Sequence, residues 1–327
     1  MLTNSQSNEI ERIYAERRRL AAEKQITRNN ELREKFPVIA EIDAKIVENS
    51  LKAGRAAIMN NDEDALRELK ELNAQLTANK EAFLEDMGIS RNYLTDVYYC
   101  NKCKDTGIYK DKRCKCYYRT IIDTFYMDDA KRELFARENF NSFNENLYSE
   151  EKIVEGKDIT ERELVLNNLD ALLNYVDDFD KVYQNVFISG HVGTGKSFLA
   201  NSIAGNLMDK GKTVLYLSAV ELKQLFSDAN FSDWEDRQAA RDRKDILYDV
   251  DCLIIDDLGT EVVNNLMQSE LFDLIEKRGR ARRSVVITSN FNIEGIKRVY
   301  SDRISSRIEN NYLCLYMPGD DNRGKKM

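Results

Sequence analysis

Gly190-His191-Val192-Gly193-Thr194-Gly195-Lys196-Ser197 reads G-x-x-x-x-G-K-[ST] without a mismatch. Two glycines allow a tight backbone turn, and a lysine and a hydroxyl follow at its end. This combination suits a phosphate chain, whose oxygens are cradled by backbone N–H groups and by the positive end of a helix. Lys196 would reach the β- and γ-phosphates, and Ser197 would ligate Mg²⁺. The flanks agree. Residues 185–189 (NVFIS) have strand character, and residues from Phe198 to Ala204 have helical spacing. Strand, glycine-rich turn and helix form the context that the motif requires. Phe198 closes the expected nucleotide-binding run, whereas His191 is a variable loop position with no assigned side-chain chemistry.

Hydrolysis needs acids as well. Cys252-Leu253-Ile254-Ile255-Asp256-Asp257 sets four apolar residues before two carboxylates, and Asp256 stands 60 positions after Lys196. This is the pattern of a buried parallel strand whose C-terminal end meets ligand. Asp256 is placed to hold the Mg²⁺ shell and Asp257 to polarise the attacking water. The alternative is a strand ending in a solvated acidic turn. A third strand, SVVIT at 284–288, leads to Asn290, whose amide can orient the lytic water or touch the γ-phosphate. In SDRISSRI (301–308), Arg303 and Arg307 are four apart, on one helix face. A guanidinium offered to a neighbour's γ-phosphate acts as an arginine finger. The alternative is a surface helix with two solvated arginines.

In this order, GHVGTGKS, LIIDDLG, ITSN and SDRISSRI resemble the AAA+ ATPases. Within them they resemble the DnaC/DnaI-type replicative helicase loaders and their IstB-type transposition-helper relatives. The likeness covers about 165–327 most specifically. It implies an α/β P-loop core with a parallel sheet, ATP and Mg²⁺ as ligands, and ATP hydrolysis. It also implies a homo-oligomer when ATP is bound, a DnaB-type helicase held by the N-terminal region, and single-stranded DNA as a partner. Arg307 matches the finger of the family's S-R-[LIF] motif, with Arg303 as second candidate. Arg323 belongs to a tail that closes the core without a separate helical lid, where a C-terminal arginine can contact the nucleotide. Asp257 replaces the family's usual Glu and is one methylene shorter. That substitution keeps open an adaptor in which ATP switches affinity and is barely hydrolysed. A P-loop kinase would leave Asn290 and Arg307 unexplained.

The cysteines point to a second element. Cys100 and Cys103 form one close pair, and Cys114 and Cys116 another, ten residues on. This is the spacing of a tetrahedral Cys₄ site. Zn²⁺ suits four thiolates best, although the spacing also fits iron. No open ligand is evident, so the site reads as structural. No signal peptide is evident, so a reducing, cytoplasmic location is expected and disulfides are not. Cys252 and Cys314 read as small core hydrophobes. Tyr99, Lys102, Tyr109, Lys110, Lys112 and Arg113 surround the cluster. Such a mixture can grip single strands by stacking and phosphate contact, or pack the small core of a solvated knuckle. In the resembled family a knuckle of this sort precedes the ATPase in the DnaI-like branch. IstB-type proteins generally lack it, which favours a loader.

These residues need elements to position them. The reading divides the chain into a helical partner-binding region (1–96), the zinc knuckle (97–120), a linker (121–164) and the AAA+ ATPase domain (165–327). In the linker, Phe140, Phe143 and Leu147 are expected to anchor onto the core. Helices are expected over about 8–35 and 38–58, with Pro37 between them. A third starts at Asn61-Asp62-Glu63-Asp64 and carries an apolar stripe of Ala65, Leu69, Leu72, Leu76 and Phe83. A bundle or antiparallel hairpin follows. The net charge of −8 excludes a general nucleic-acid sponge. Lys277–Arg283 nevertheless concentrates five cations in seven residues, either for DNA phosphate or as a helix end. Arg237, Arg241 and Lys244 share one face of a charged segment, as a plain surface helix or as the DNA side of an assembled ring. No apolar run reaches the ~20 residues of a membrane span.

Overall fold

Pro37 starts the second of the two expected helices. In the computed structural model, α1 covers Asn4–Lys35 and α2 covers Pro37–Arg55. Proline is well suited to a first helical position, where its missing N–H would have no partner anyway. Residues 4–55, 63–90, 92–94, 97–231 and 244–323 are described. They divide into two units, Glu11–Cys114 and Lys115–Met327 with Met1–Ile10.

In the first unit, α3 covers Glu63–Asp86 and packs antiparallel to α2. Lys80 Nζ lies 2.6 Å from Asp43 Oδ1, and Asn49 Nδ2 donates to Asn73 Oδ1 at 3.0 Å. Leu69, Leu76 and Phe83 of the expected stripe lie on the less exposed side of α3, but Leu72 does not. Leu72 is 44% exposed, and Asn73 and Lys80 turn inward instead. Their partners on α2 explain the difference: paired polar groups pin the register of a hairpin that apolar contacts alone would let slide. The expected helix start at Asn61-Asp62 lies outside the described residues. Leu32, Ile39 and Leu84 form a buried cluster at the hairpin base, flanked by Phe36 and Phe83 in edge-to-face contact at 5.6 Å. A two-stranded ribbon, β1 (Ile108–Tyr109) with β2 (Lys112–Arg113), ends the unit.

The second unit starts with α4 (Lys115–Phe125) and α5 (Asp129–Arg137). Two 3₁₀ turns, Phe140–Ser142 and Glu145–Leu147, lead to α6 (Glu161–Asp177). Strands and helices then alternate: β3 (Asn185–Gly190), α7 (Lys196–Asp209), β4 (Val214–Ser218) and α8 (Ala219–Phe231). β5 (Cys252–Leu258), α9 (Asn265–Arg280) and β6 (Ser284–Ser289) follow. α10 (Ile293–Val299), α11 (Asp302–Asn311) and β7 (Tyr312–Met317) complete the unit.

The five long strands form one sheet in the order β4-β5-β6-β3-β7, every neighbouring pair parallel. β3 and β6 are buried along their whole length, in keeping with their apolar centres, Val186–Ile188 and Val285–Ile287. β3, the first of the five in the chain, is flanked by the fourth and the last. Chain order therefore reverses beside it, and its C-terminal end opens where ligands bind in such sheets. This is the expected α/β P-loop core with a parallel sheet, accompanied by a helical N-terminal region.

Cys252 is fully buried as expected, but Cys314 is exposed. β7 is an edge strand, and Cys314 is exposed there although Tyr312, on the same face, is buried. The Lys277–Arg283 cluster is partly structural. Arg278 is buried and donates to the carbonyls of Leu247 (2.5 Å), Val250 (3.1 Å) and Ser284 (2.6 Å). Burial lowers its pKa to about 10. Arg237 and Arg241 lie outside the described residues, whereas Lys244 pairs with Glu270 on α9. No helix among the described residues is long and apolar enough to cross a membrane.

Candidate functional site

The phosphate loop runs from the end of β3 at Gly190 to the start of α7 at Lys196. Two of its glycines are required by geometry. Gly193 has φ +77°, and a Cβ there would lie 1.8 Å from Asp321 Oδ1. Gly195 has φ +91°, and a Cβ there would lie 2.7 Å from the Tyr148 hydroxyl. Side chains other than glycine resist both conformations. The neighbours are a short strap after β7, whose Asn322 N donates to Gly193 O at 3.0 Å, and the segment before α6, which carries Tyr148.

Beside this loop lies a cavity of about 300 Å³ lined by Gly193, Lys196, Ser197, Asp257, Asn290 and Arg323, among others. Val192, Gly195 and Phe198 also line it. Lys196 Nζ donates to His191 O at 2.7 Å; Thr194 is buried, and the His191 side chain is exposed. Ser197 Oγ lies 3.1 Å from Asp256 Oδ1, which accepts at 2.5 Å from Thr288 Oγ1. The same Thr288 hydroxyl accepts from Asp257 N at 2.8 Å. One hydroxyl on β6 thus ties together both acids at the end of β5. Asp257 has φ +54°, just where the β5–β6 register slips between Ile255 and Leu258. The bulge breaks strand alternation, as bulges do near sites where a side chain must be re-aimed.

Burial lowers the Lys196 pKa, opposed by Asp257 and Asp256. Burial and then the neighbouring Asp256 raise that of Asp257, opposed by Lys196 and Arg323. The site is therefore a partly desolvated array of two acids and two cations, in which Lys196 and Arg323 both favour the charged form of Asp257. A serine hydroxyl beside a carboxylate is a hard-oxygen donor set that fits Mg²⁺. The loop, with Lys196 and Arg323, fits a phosphate chain.

Arg303 and Arg307 do not join this cavity. Both are exposed on α11, and Arg307 is ion-paired with Glu276 of α9. Other lining residues carry no motif signal: Glu138, Phe143, Asn144 and Tyr148, all from the stretch before α6. Phe143 reaches the phosphate-loop helix through Phe198, at 5.8 Å between ring centroids. Thr288, two residues before Asn290, has no spacing signal of its own, and only the pairing of β5 with β6 brings its hydroxyl to Asp256.

The sulfurs of Cys100, Cys103, Cys114 and Cys116 all lie within 4.8 Å of one another. Cys100 Sγ is 3.9 Å from Cys114 Sγ. Tetrahedral ligation at the usual zinc–sulfur distance of ~2.3 Å would set sulfurs about 3.8 Å apart, so the set fits Zn²⁺. The first pair is pre-shaped by Asp105, a buried residue with φ +56°. Its carboxylate accepts from the amides of Tyr99 (2.9 Å) and Cys100 (2.8 Å).

Residues 135–307 match the model of the IstB-like ATP binding protein family. The replicative helicase loader DnaC of Escherichia coli (strain K12) is 26% identical over 144 residues, which cover 44% of this chain and 57% of that protein. DnaC of Buchnera aphidicola subsp. Baizongia pistaciae (strain Bp) is 29% identical over 160 residues, covering 47% and 63%. The chain thus spans about three fifths of the length of these curated relatives. Among solved structures, the DnaC helicase loader superposes with a TM-score of 0.45 at 16% identity, over 56% of this chain and 98% of that one. DnaI gives 0.44 at 20% identity, over 61% and 95%.

Proposed function

The chain belongs to the IstB-like ATP binding protein family, and from that premise we propose that it is an AAA+ ATPase that loads or remodels a replicative DNA helicase on single-stranded DNA. The observation that carries the ATPase part is the convergence of Lys196, Ser197, Asp257, Asn290 and Arg323 on one cavity, with Asp256 bonded to Ser197 at its edge. The loader part is supported by the likeness to proteins named replicative helicase loader. It is also supported by a helical arm and a Cys₄ cluster that precede the matched residues.

Each residue then has a task. The loop amides and Lys196 hold the β- and γ-phosphates, and Arg323 adds a second cation within the same subunit. Ser197 and Asp256 would hold Mg²⁺, which when bound would supply charge neutralisation for the phosphate chain. Asp257 takes the proton of the attacking water while Asn290 orients it. Its raised pKa suits a base, because a carboxylate held at a higher pKa accepts a proton more readily. Arg307 completes the charge around a neighbour's γ-phosphate in an ATP-bound homo-oligomer. In this reading residues 1–96 contact a DnaB-type helicase, residues 97–120 hold one structural Zn²⁺, residues 121–164 link them to the ATPase, and residues 165–327 hydrolyse ATP.

A second reading, a transposition helper, is favoured by the family match itself. Size-exclusion chromatography of the full chain with Mg²⁺ and a non-hydrolysable ATP analogue separates the two. Co-elution with a hexameric DnaB-type helicase supports the loader; co-elution with a transposase, and none with the helicase, overturns it. An adaptor that binds ATP without turnover would co-elute with the helicase yet release no phosphate.

A further inference from the structure

We infer that Tyr148 is a positioning residue that sets the shape of the phosphate loop; the inference rests on the ATP-binding reading above. Tyr148 belongs to no motif and lies 46 positions before Thr194 in the chain. It is only 3% exposed, and its hydroxyl donates to the Thr194 carbonyl at 2.8 Å. The ring is braced. It stacks on Phe143 at 5.8 Å with 14° between planes, and Phe143 in turn meets Phe198 in the first turn of α7. Burial raises the phenol pKa far above its usual value, so the hydroxyl remains a donor at any working pH.

The consequence follows from peptide geometry. In a planar trans peptide the C=O and the N–H point in opposite directions. Tyr148 holds the carbonyl of the Thr194–Gly195 peptide, so it also fixes where the Gly195 N–H points. Asn322 N does the same for the preceding peptide by donating to the Gly193 carbonyl at 3.0 Å. Lys196 Nζ takes the His191 carbonyl at 2.7 Å. Protein donors thus occupy three loop carbonyls, and the opposed amides are kept for phosphate oxygens. Tyr148 is the one of these donors that lies N-terminal to the loop, brought in by the segment between α5 and α6.

The fit is close on both sides of the ring. A Cβ on Gly195 would lie 2.7 Å from the hydroxyl, and a Cβ on Gly319, where the strap leaves β7, would lie 3.6 Å from the ring. Tyr148 therefore touches the loop and the strap that carries Arg323. A conformational change in the stretch between α5 and α6 would reach the phosphates through this hydroxyl.

The test is isothermal titration of the full-length wild-type chain and of Tyr148→Phe with ATP, ADP and inorganic tripolyphosphate. The phenylalanine variant keeps the stack and loses only the donor. All three ligands should bind about tenfold more weakly and by a similar factor, the effect expected of one buried hydrogen bond that organises the loop. Phe143→Leu, which loosens the brace and keeps the hydroxyl, should give a smaller loss for the same three ligands. Unchanged tripolyphosphate affinity in Tyr148→Phe would overturn the inference, even if its melting temperature fell, because the role would then be structural only. Weakening confined to ATP and ADP would also overturn it, since Tyr148 would then serve the base. Wild-type protein that binds none of the three would sink the ATP reading itself, and this inference with it.

Discussion

Replacing Thr288 with valine removes one oxygen and keeps the side chain's shape. Thr288 is fully buried, and its hydroxyl makes two hydrogen bonds, to Asp256 Oδ1 at 2.5 Å and from Asp257 N at 2.8 Å. The first is charge-assisted, a class worth ~1.5–3 kcal/mol net. Loss of the second leaves the half-buried Asp257 amide without that acceptor, which costs ~1–3 kcal/mol when nothing replaces it. The two effects share one hydroxyl and do not simply add, so a stability loss of about 2–4 kcal/mol is expected. Function should suffer separately. Asp256 loses the partner that orients it toward Ser197, and removing the outer partner of a metal ligand typically costs 10–100-fold in metal affinity. Urea denaturation reads the first effect, and ATP titration across Mg²⁺ concentrations reads the second. Thr288→Val with parental stability and parental Mg²⁺ dependence would refute the idea that this hydroxyl ties the two acids together.

The remaining predictions concern the other parts of the site. Lys196→Ala should lose most ATP affinity in fluorescent-nucleotide titration, because the loop amides alone are the weaker cradle. Arg307→Ala should bind ATP like wild type and hydrolyse it poorly, with a loss of ~10³-fold or more if the finger acts in trans. Mixing it with Asp257→Asn should restore some phosphate release, since one mixed interface carries an intact acid and an intact finger; no rescue by co-assembled variants would place Arg307 in cis. Asp257 acts as a carboxylate, and its pKa is raised above 3.8, so turnover should fall on acidification with a midpoint above 3.8; an acid limb centred at or below that value, with the protein still folded by circular dichroism, would contradict the assignment. Elemental analysis should find one zinc per chain, and chelation should unfold residues 97–120 locally, as thiolate ligation couples metal to folding; metal-free purified protein with parental hydrogen exchange there would count against it.

Much of the core was legible because its physics is local. Fully buried parallel strands must be unbroken apolar runs, so 252–257 and 284–288 announced themselves, and a phosphate loop needs glycines at fixed offsets. The helical hairpin was legible in outline for the same reason, through its apolar periodicity. Its inner face was legible only in its apolar positions Leu69, Leu76 and Phe83. Asn73 and Lys80 look like surface residues until Asn49 and Asp43 stand opposite them, and such pairings depend on a partner distant in sequence. Cys314 misled because strand character says nothing about whether a strand lies at the edge of a sheet. Thr288 and Tyr148 stayed hidden for a related reason. A threonine in a strand and a tyrosine in a polar stretch have no distinctive spacing, and only the fold brings them to Asp256 and Thr194.

The central claim is most directly tested by a loading assay on circular single-stranded DNA coated with a single-strand-binding protein. DnaB-type helicase is added with the full chain and ATP, and DNA-bound helicase is measured after gel filtration. Wild-type protein with ATP should deliver helicase to the circle, and Lys196→Ala should deliver much less. Equal helicase recovery with and without the chain, despite ATP binding by the wild-type protein, would contradict the account.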